Sequence, residues 1–236
     1  MQLFYHPNLE ADAGDVSFDK DESRHISKAL RKQHGDILFI TNGRGFLFTA
    51  ELSHVDHKSC LAKITSVEKK PALPYHLHLA VAPTKLNDRY EWFLEKATEI
   101  GVTEITPIIC DHSERKVIKA ERYERIIQSA MKQSLKVWKP ELNPVISFND
   151  FMKKSFSEEK KCIAHCYPSE KESLKHTIDA GDSVIILIGP EGDFSHLEVE
   201  QAVAEGFQTV HLGNSRLRTE TAAIVACHSI AFINEG

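Results

Sequence analysis

No apolar run in this chain of 236 residues is long enough to cross a bilayer as a helix, which takes about 20 residues. The opening residues, Met1-Gln2-Leu3-Phe4-Tyr5-His6-Pro7, lack the basic-then-apolar layout of a secretory signal, so a cytoplasmic protein without membrane attachment is expected. The phosphate-cradling P-loop pattern is missing. No strand-like run ends in Gly-x-Gly-x-x-Gly, and the only Gly-x-Gly pair, Gly43 and Gly45, sits between two short apolar runs. An NTPase and an ordinary dinucleotide site are therefore disfavoured. Cysteine is sparse: Cys60, Cys110, Cys162, Cys166 and Cys227 make an odd set, mostly inside apolar runs, as reduced thiols rather than a disulfide framework. Cys162, His165 and Cys166 are close in sequence, but no second cluster completes four ligands, so no metal is expected there. Positive charge is not in excess either, the formal net charge being -5.

Basic residues are nonetheless concentrated. One patch holds Arg24, His25, Lys28, Arg31, Lys32 and His34, and another runs from Arg115 through Lys119 and Arg125 to Lys136 and Lys139. Phosphate contacts depend on such local patches rather than on net charge.

Residues 1–70 carry short alternating runs that predict a small β-rich barrel with one helix over 23–30. Asn42-Gly43 between apolar runs marks a hairpin, because that turn needs positive φ. Lys69-Lys70-Pro71-Ala72-Leu73-Pro74 breaks both periodicities and reads as a linker. From residue 74 to 236 the pattern becomes strand, helix, strand, helix, which predicts a mostly parallel sheet in an α/β domain. Helices are expected from Asn87 as a cap to Gly101, from about Ala120 to Lys136, from Ser195 to Gly206, and after Thr219 as a cap. Strands are expected at 145–148 and 162–165, and at 184–188, the last wholly apolar and so buried on both faces.

Two glycine-punctuated turns stand out. Leu187-Ile188-Gly189-Pro190-Glu191-Gly192-Asp193 follows one apolar run, and Leu212-Gly213-Asn214-Ser215-Arg216-Leu217-Arg218-Thr219-Glu220 follows another. In open α/β sheets ligands bind outside the carboxyl ends of strands. Gly189 and Gly192 let backbone approach a ligand closely. Glu191 is placed to accept a hydrogen bond. A charged set at the mouth of a buried strand is costly unless it is used.

These two turns resemble those of the SPOUT methyltransferases, and more narrowly the family that methylates N3 of one uridine in 16S ribosomal RNA. The resemblance extends to His25-Ile26-Ser27-Lys28-Ala29-Leu30-Arg31, Lys96-Ala97-Thr98-Glu99-Ile100-Gly101-Val102, Ser113-Glu114-Arg115 and Gln133-Ser134. Two places depart from it. Asp193 stands where the pattern has a second glycine, and Lys136 stands where it often has arginine, which loses the planar fork.

The resemblance implies a PUA-like RNA-binding domain over 1–70 and a trefoil-knot methyltransferase domain over 74–236. It implies a homodimer acting on 16S RNA in the small ribosomal subunit, with no membrane and no metal involved. S-adenosylmethionine is expected in the knot, held by Leu187, Ile188, Gly189, Glu191, Gly192, Leu212, Gly213, Leu217, Arg218 and Thr219. Arg218 is the expected stabiliser of anionic charge on the base, and Glu220 or Glu191 the expected proton acceptor. Arg24, Arg31, Lys32, Arg115 and Lys136 are expected to bind RNA. A different RNA acceptor, a non-catalytic RNA-binding module of the same fold, and a metabolic enzyme with an anionic substrate at the two helix starts stay open on sequence alone.

Overall fold

The computed structural model describes residues 1–235. They fall into two compact units, one of Met1–Ala72 with Met131–Lys139, the other of Leu73–Ala130 with Pro140–Gly236.

The first unit contains β1 (Leu3–Tyr5), β2 (Asp15–Phe18), α1 (Lys20–Arg24), β3 (Ile37–Thr41), β4 (Phe46–His54) and β5 (Cys60–Lys69). They form one curled sheet in the order β1-β3-β4-β5-β2. Only the β1–β3 pair is parallel. Inward residues alternate along β4, so Phe48, Ala50 and Leu52 are buried with Ile26, Leu38 and Ile40. The expected hairpin is present as the loop 42–45 between Thr41 and Phe46, with Gly43 and Gly45 both at positive φ. The helix expected over 23–30 begins earlier. Asp19 caps it by accepting Glu22 N–H at 2.8 Å, and the chain then widens into a π-helical turn at His25–Ala29, with Leu30 N–H donating to His25 O at 2.9 Å.

Residues 131–139 complete this unit. Gly45 N–H donates to Val137 O and Lys139 N–H to Gly43 O, both at 2.9 Å, and Trp138 lies against Gly45.

The second unit contains β6 (His76–Val81), α2 (Asn87–Ile100), β7 (Glu104–Ile109), α3 (Ala120–Gln133, whose last turn belongs to the first unit), β8 (Glu141–Leu142) and β9 (Ile146–Ser147). Then come α4 (Phe148–Met152), β10 (Lys160–Ala164), β11 (Glu172–Ser173), α5 (Leu174–Thr177), β12 (Ser183–Ile188), α6 (His196–Ala204), β13 (Gln208–His211) and α7 (Thr219–Asn234). The sheet is parallel throughout and ordered β11-β13-β10-β12-β6-β7-β8, with β9 also on β7.

β12 is the apolar strand that the sequence marks as central, and Val184 to Ile188 are all buried. One face of the sheet packs on α2 and α7 through Leu77, Leu79, Phe93, Ala97, Ala226 and Ile230. The other packs on α4 and α6 through Ala80, Ile163, Leu187, Phe151, Phe194 and Ala202. Three local expectations shift. The strand expected at 145–148 keeps only Ile146–Ser147, because Ser147 caps α4 by accepting Asp150 N–H at 3.1 Å. α3 stops at Gln133 rather than Lys136, since Leu135 takes φ +58° and Lys136 N–H turns back to Met131 O. Asn87 and Thr219 open α2 and α7 but are not their caps: Leu86 and Arg218 hold those positions, without a side-chain hydrogen bond.

Candidate active site

The register of three adjacent strands builds the site. Ala164 at the end of β10 lies level with Ile188 on β12 and with Val210 on β13. Three loops, 165–170, 189–195 and 212–218, therefore leave the sheet side by side at its carboxyl edge. Between them lie a cavity of about 560 Å³ and a smaller one of about 330 Å³, sharing Ala164, Cys166, Asp193, Arg216, Leu217 and Ala222.

Most of the expected cofactor residues come together here. Leu212, Gly213 and Gly192 line the larger cavity; Ile188, Gly189, Glu191, Arg218 and Thr219 line the smaller; Leu217 lines both. Leu187 lines neither and is wholly buried in the core beneath. Gly189 sits in tight space: a Cβ there would lie 3.0 Å from the Phe194 ring and 3.1 Å from Phe194 N, so Phe194 would have to give by a few tenths of an ångström. The Gly189 carbonyl accepts the Thr219 hydroxyl at 3.0 Å, so the two sequence turns are stitched together where α7 begins.

The three charged candidates differ in setting. Arg218 is exposed, and among the described residues its guanidinium has no hydrogen-bonded or ionic partner. Glu220 is buried in the first turn of α7. One of its oxygens faces Arg89 Nε at 3.7 Å, and the other has no hydrogen-bond partner. The Arg218–Glu220 pairing that sequence proximity suggests is thus replaced by a pairing with α2. Glu191 is exposed and accepts Lys85 N–H at 2.9 Å. Arg115 holds the same 84–86 turn, donating to Thr84 O at 3.1 Å and Lys85 O at 2.9 Å.

Of the remaining basic candidates, Arg24 and Arg31 are exposed and Lys32 is half-buried with its ammonium 3.4 Å from Ile37 O. Lys136 is half-buried in the segment that joins the first unit.

A family description of an RNA methyltransferase domain matches residues 71–231, and one of an RNA methyltransferase PUA domain matches residues 18–65. A relative from Buchnera aphidicola (subspecies Acyrthosiphon pisum), called ribosomal RNA small subunit methyltransferase E, is 30% identical over 92% of this chain and 88% of its own length. The chain belongs to the ribosomal RNA small subunit methyltransferase E family. Among solved structures, a probable rRNA-methyltransferase from Porphyromonas gingivalis is 42% identical, covers 99% of this chain and 98% of its own, and superposes with a TM-score of 0.92. The family member from Neisseria gonorrhoeae, solved bound to S-adenosyl methionine, is 29% identical over 99% of this chain and 98% of its own, with a TM-score of 0.85.

Within this methyltransferase several groups at the loops escape a reading by spacing. His165 is buried on the wall of the larger cavity, and among the described residues neither ring nitrogen has a hydrogen-bond partner. Burial pushes its pKa below the ordinary 6.5, aided by Lys171 and His196 against the pull of Asp193, so the ring is neutral near pH 7. His112 braces the middle loop, its Nδ1 lying 3.0 Å from both Gly192 O and Asp193 O. Nothing in sequence spacing links either residue to the turns, because tertiary pairing alone brings them together.

Proposed function

We propose that this methyltransferase transfers a methyl group from S-adenosylmethionine to N3 of one uridine in 16S RNA of the small ribosomal subunit. The observation that carries this reading is the level register of β10, β12 and β13, which sets three loops around one cleft lined by backbone and small residues. That cleft suits the cofactor: Leu212, Leu217 and Ala222 offer an apolar slot for adenine, and glycines at 189, 192 and 213 expose main-chain groups beside it. Binding of S-adenosyl methionine by the Neisseria gonorrhoeae relative supports the same assignment.

When bound, S-adenosylmethionine supplies an electrophilic methyl on a sulfonium centre. The protein's tasks are to hold N3 in line with it and to manage the N3 proton. Arg218, exposed on the wall of the smaller cavity, stabilises the negative charge that develops on the uracil ring as that proton leaves. Glu220 is assigned the proton, although its unpartnered oxygen is buried and it lines neither cavity, so the first turn of α7 must shift to bring that oxygen to the base while Arg89 holds the other. Glu191 braces the 84–86 turn through one oxygen, which accepts Lys85 N–H, and its other oxygen is the alternative acceptor on the wall of the smaller cavity. Loss of a methyl from the sulfonium would leave a neutral thioether, so the N3 proton is the charge that the protein's own residues have to manage.

The first unit supplies RNA affinity through Arg24, Arg31, Lys32 and Lys136, whose charges bind phosphate without reading sequence. Arg115 adds to it from the second unit. The active form is a homodimer, and α7 passes through a trefoil knot formed by the turns at 189–195 and 212–218.

The target N3 is blocked by base pairing, so the nucleotide is unpaired or flipped. Transfer to unmethylated small subunits is expected to exceed transfer to a free oligonucleotide of the same sequence. Equal rates on both would refute recognition of a folded particle.

A further inference from the structure

At the opposite edge of the parallel sheet, a second polar cluster interrupts an otherwise apolar face. His76 and His78 share one face of β6 by their spacing of two, and Glu104 and Thr106 share the same face of β7. Further along, that face carries Ala80 and Ala82 into the core on α4. The cluster therefore occupies the place where apolar packing would otherwise continue, beside the Phe151 ring, which meets His78 edge-on at 5.9 Å.

Glu158, from the segment entering β10, completes it. His78 lies between two groups, with Nδ1 2.9 Å from Glu158 Oε1 and Nε2 2.7 Å from the Thr106 hydroxyl. His76 Nε2 lies 3.4 Å from Glu104 Oε2. Asn143 donates to Glu104 Oε1 at 2.6 Å and to Thr106 Oγ1 at 2.8 Å. The side chains of His78 and Glu158 are only 6% and 5% exposed, and that of Glu104 is 22% exposed.

The charge balance of this cluster is unusual. Among the described residues, no lysine or arginine pairs with Glu104 or Glu158; imidazoles are their only ionic partners. Removing carboxylates from water is costly without full compensation.

We propose that His76 Nε2 and one oxygen each of Glu104 and Glu158 bind a divalent transition-metal cation of the zinc class. Their ligand atoms all lie within 4.8 Å of one another. A tetrahedral zinc site with bonds near 2.0–2.1 Å needs ligands about 3.3 Å apart, close to the present His76–Glu104 separation. Mixed imidazole and carboxylate donors suit such an ion. His78 and Asn143 then act as outer supports, orienting Glu158 and Glu104 through hydrogen bonds. The half-exposed His76 leaves an entry path and a fourth position for water. Without an ion, the two carboxylates have imidazoles as their ionic partners among the described residues. Glu104 is held down to about 2, chiefly by its hydrogen bond to His76. Burial pushes Glu158 up, but its hydrogen bond with His78 and that residue's charge leave it lowered.

The bound ion would clamp the starts of β6 and β7 to the segment that enters β10. Because it lies at the far edge from the three loops, it supports the sheet and takes no part in methyl transfer.

The test uses the untagged full chain, stripped of metal with a chelator and titrated with Co²⁺ and then Zn²⁺. One equivalent of Co²⁺ is expected to give the visible absorption of a four-coordinate site, to be displaced by Zn²⁺, and to raise Tm. Glu104→Gln and Glu158→Gln are each expected to weaken binding by at least about tenfold while S-adenosylmethionine binding is retained. Absence of saturable binding in the unmutated chain overturns the proposal, whatever the variants do. Unchanged affinity in either folded variant also overturns it, by placing the ion among other histidines.

Discussion

Asp193 ties two of the three loops together: its carboxylate accepts the Cys166 N–H at 2.7 Å. The residue takes φ +66°, a left-handed conformation that aspartate tolerates better than most side chains. The sequence pattern that this chain resembles has glycine here. The aspartate retains the turn and adds a link to the end of β10, with its other oxygen on Phe194 N–H at 2.8 Å.

Asp193→Ala is therefore expected to lose on two counts. Losing the hydrogen bond to the Cys166 amide, on an exposed residue, costs about 0.5–1.5 kcal/mol, and the left-handed backbone about 1–2 kcal/mol. Asp193→Asn retains both the conformation and an acceptor, and should cost less than half as much. Urea unfolding gives the stability change, and calorimetry should show weaker cofactor binding in the alanine variant alone.

Arg218 and Glu220 separate chemistry from binding. Arg218→Ala should lower kcat about 10²–10³-fold with little change in cofactor affinity, and Arg218→Lys should recover only part, as a point charge replaces a planar fork. Glu220→Gln should lower kcat about 10²–10⁴-fold. Single-turnover rates on small subunits measure both. A Glu220→Gln enzyme with normal kcat removes Glu220 from the reaction.

Gly45 tests the union of residues 131–139 with the first unit. A Cβ there would lie 2.3 Å from Trp138 Cζ2, at φ +89°. Gly45→Ala should cost about 1–3 kcal/mol from overpacking, added to about 1–2 kcal/mol of backbone strain. Adding Trp138→Ala should return the overpacking part and leave the strain. Thermal unfolding of the two variants checks this, and RNA affinity should fall with Gly45→Ala.

His165 gives the protein an acid sensitivity of known sign. Its folded pKa is lowered, so the unfolded chain binds more protons between the folded value and 6.5. Stability is thus complete above pH 6.5 and declines as pH falls through the folded pKa. His165→Phe should remove this part of the slope. The difference between the two chains' unfolding free energies, measured from pH 7.5 to pH 4, isolates it from the carboxylates. Parallel curves would mean that His165 is not held neutral.

The parallel sheet and the two turns were legible because their signals are local. The apolar run at 184–188 and the glycines at 189, 192 and 213 carry their meaning in a few residues. Spacing also located α2, α6 and α7 to within a residue or so at most ends, by apolar period in all three and by a formed capping box only in α6. What stayed hidden depends on contacts distant in sequence. Arg89 meets Glu220, Lys85 meets Glu191 and Glu158 meets His78 only after the sheet has formed. The addition of residues 131–139 to the β3–β4 hairpin is equally invisible, because a two-bond backbone pairing leaves no periodicity.

The most direct measurement uses unmethylated small ribosomal subunits and labelled S-adenosylmethionine, followed by nuclease digestion and identification of the labelled nucleoside by mass. The account predicts label in 3-methyluridine alone, with a severely reduced rate for Arg218→Ala. Label on another base or on a ribose 2′-hydroxyl, or none at all while the cofactor binds, would contradict it.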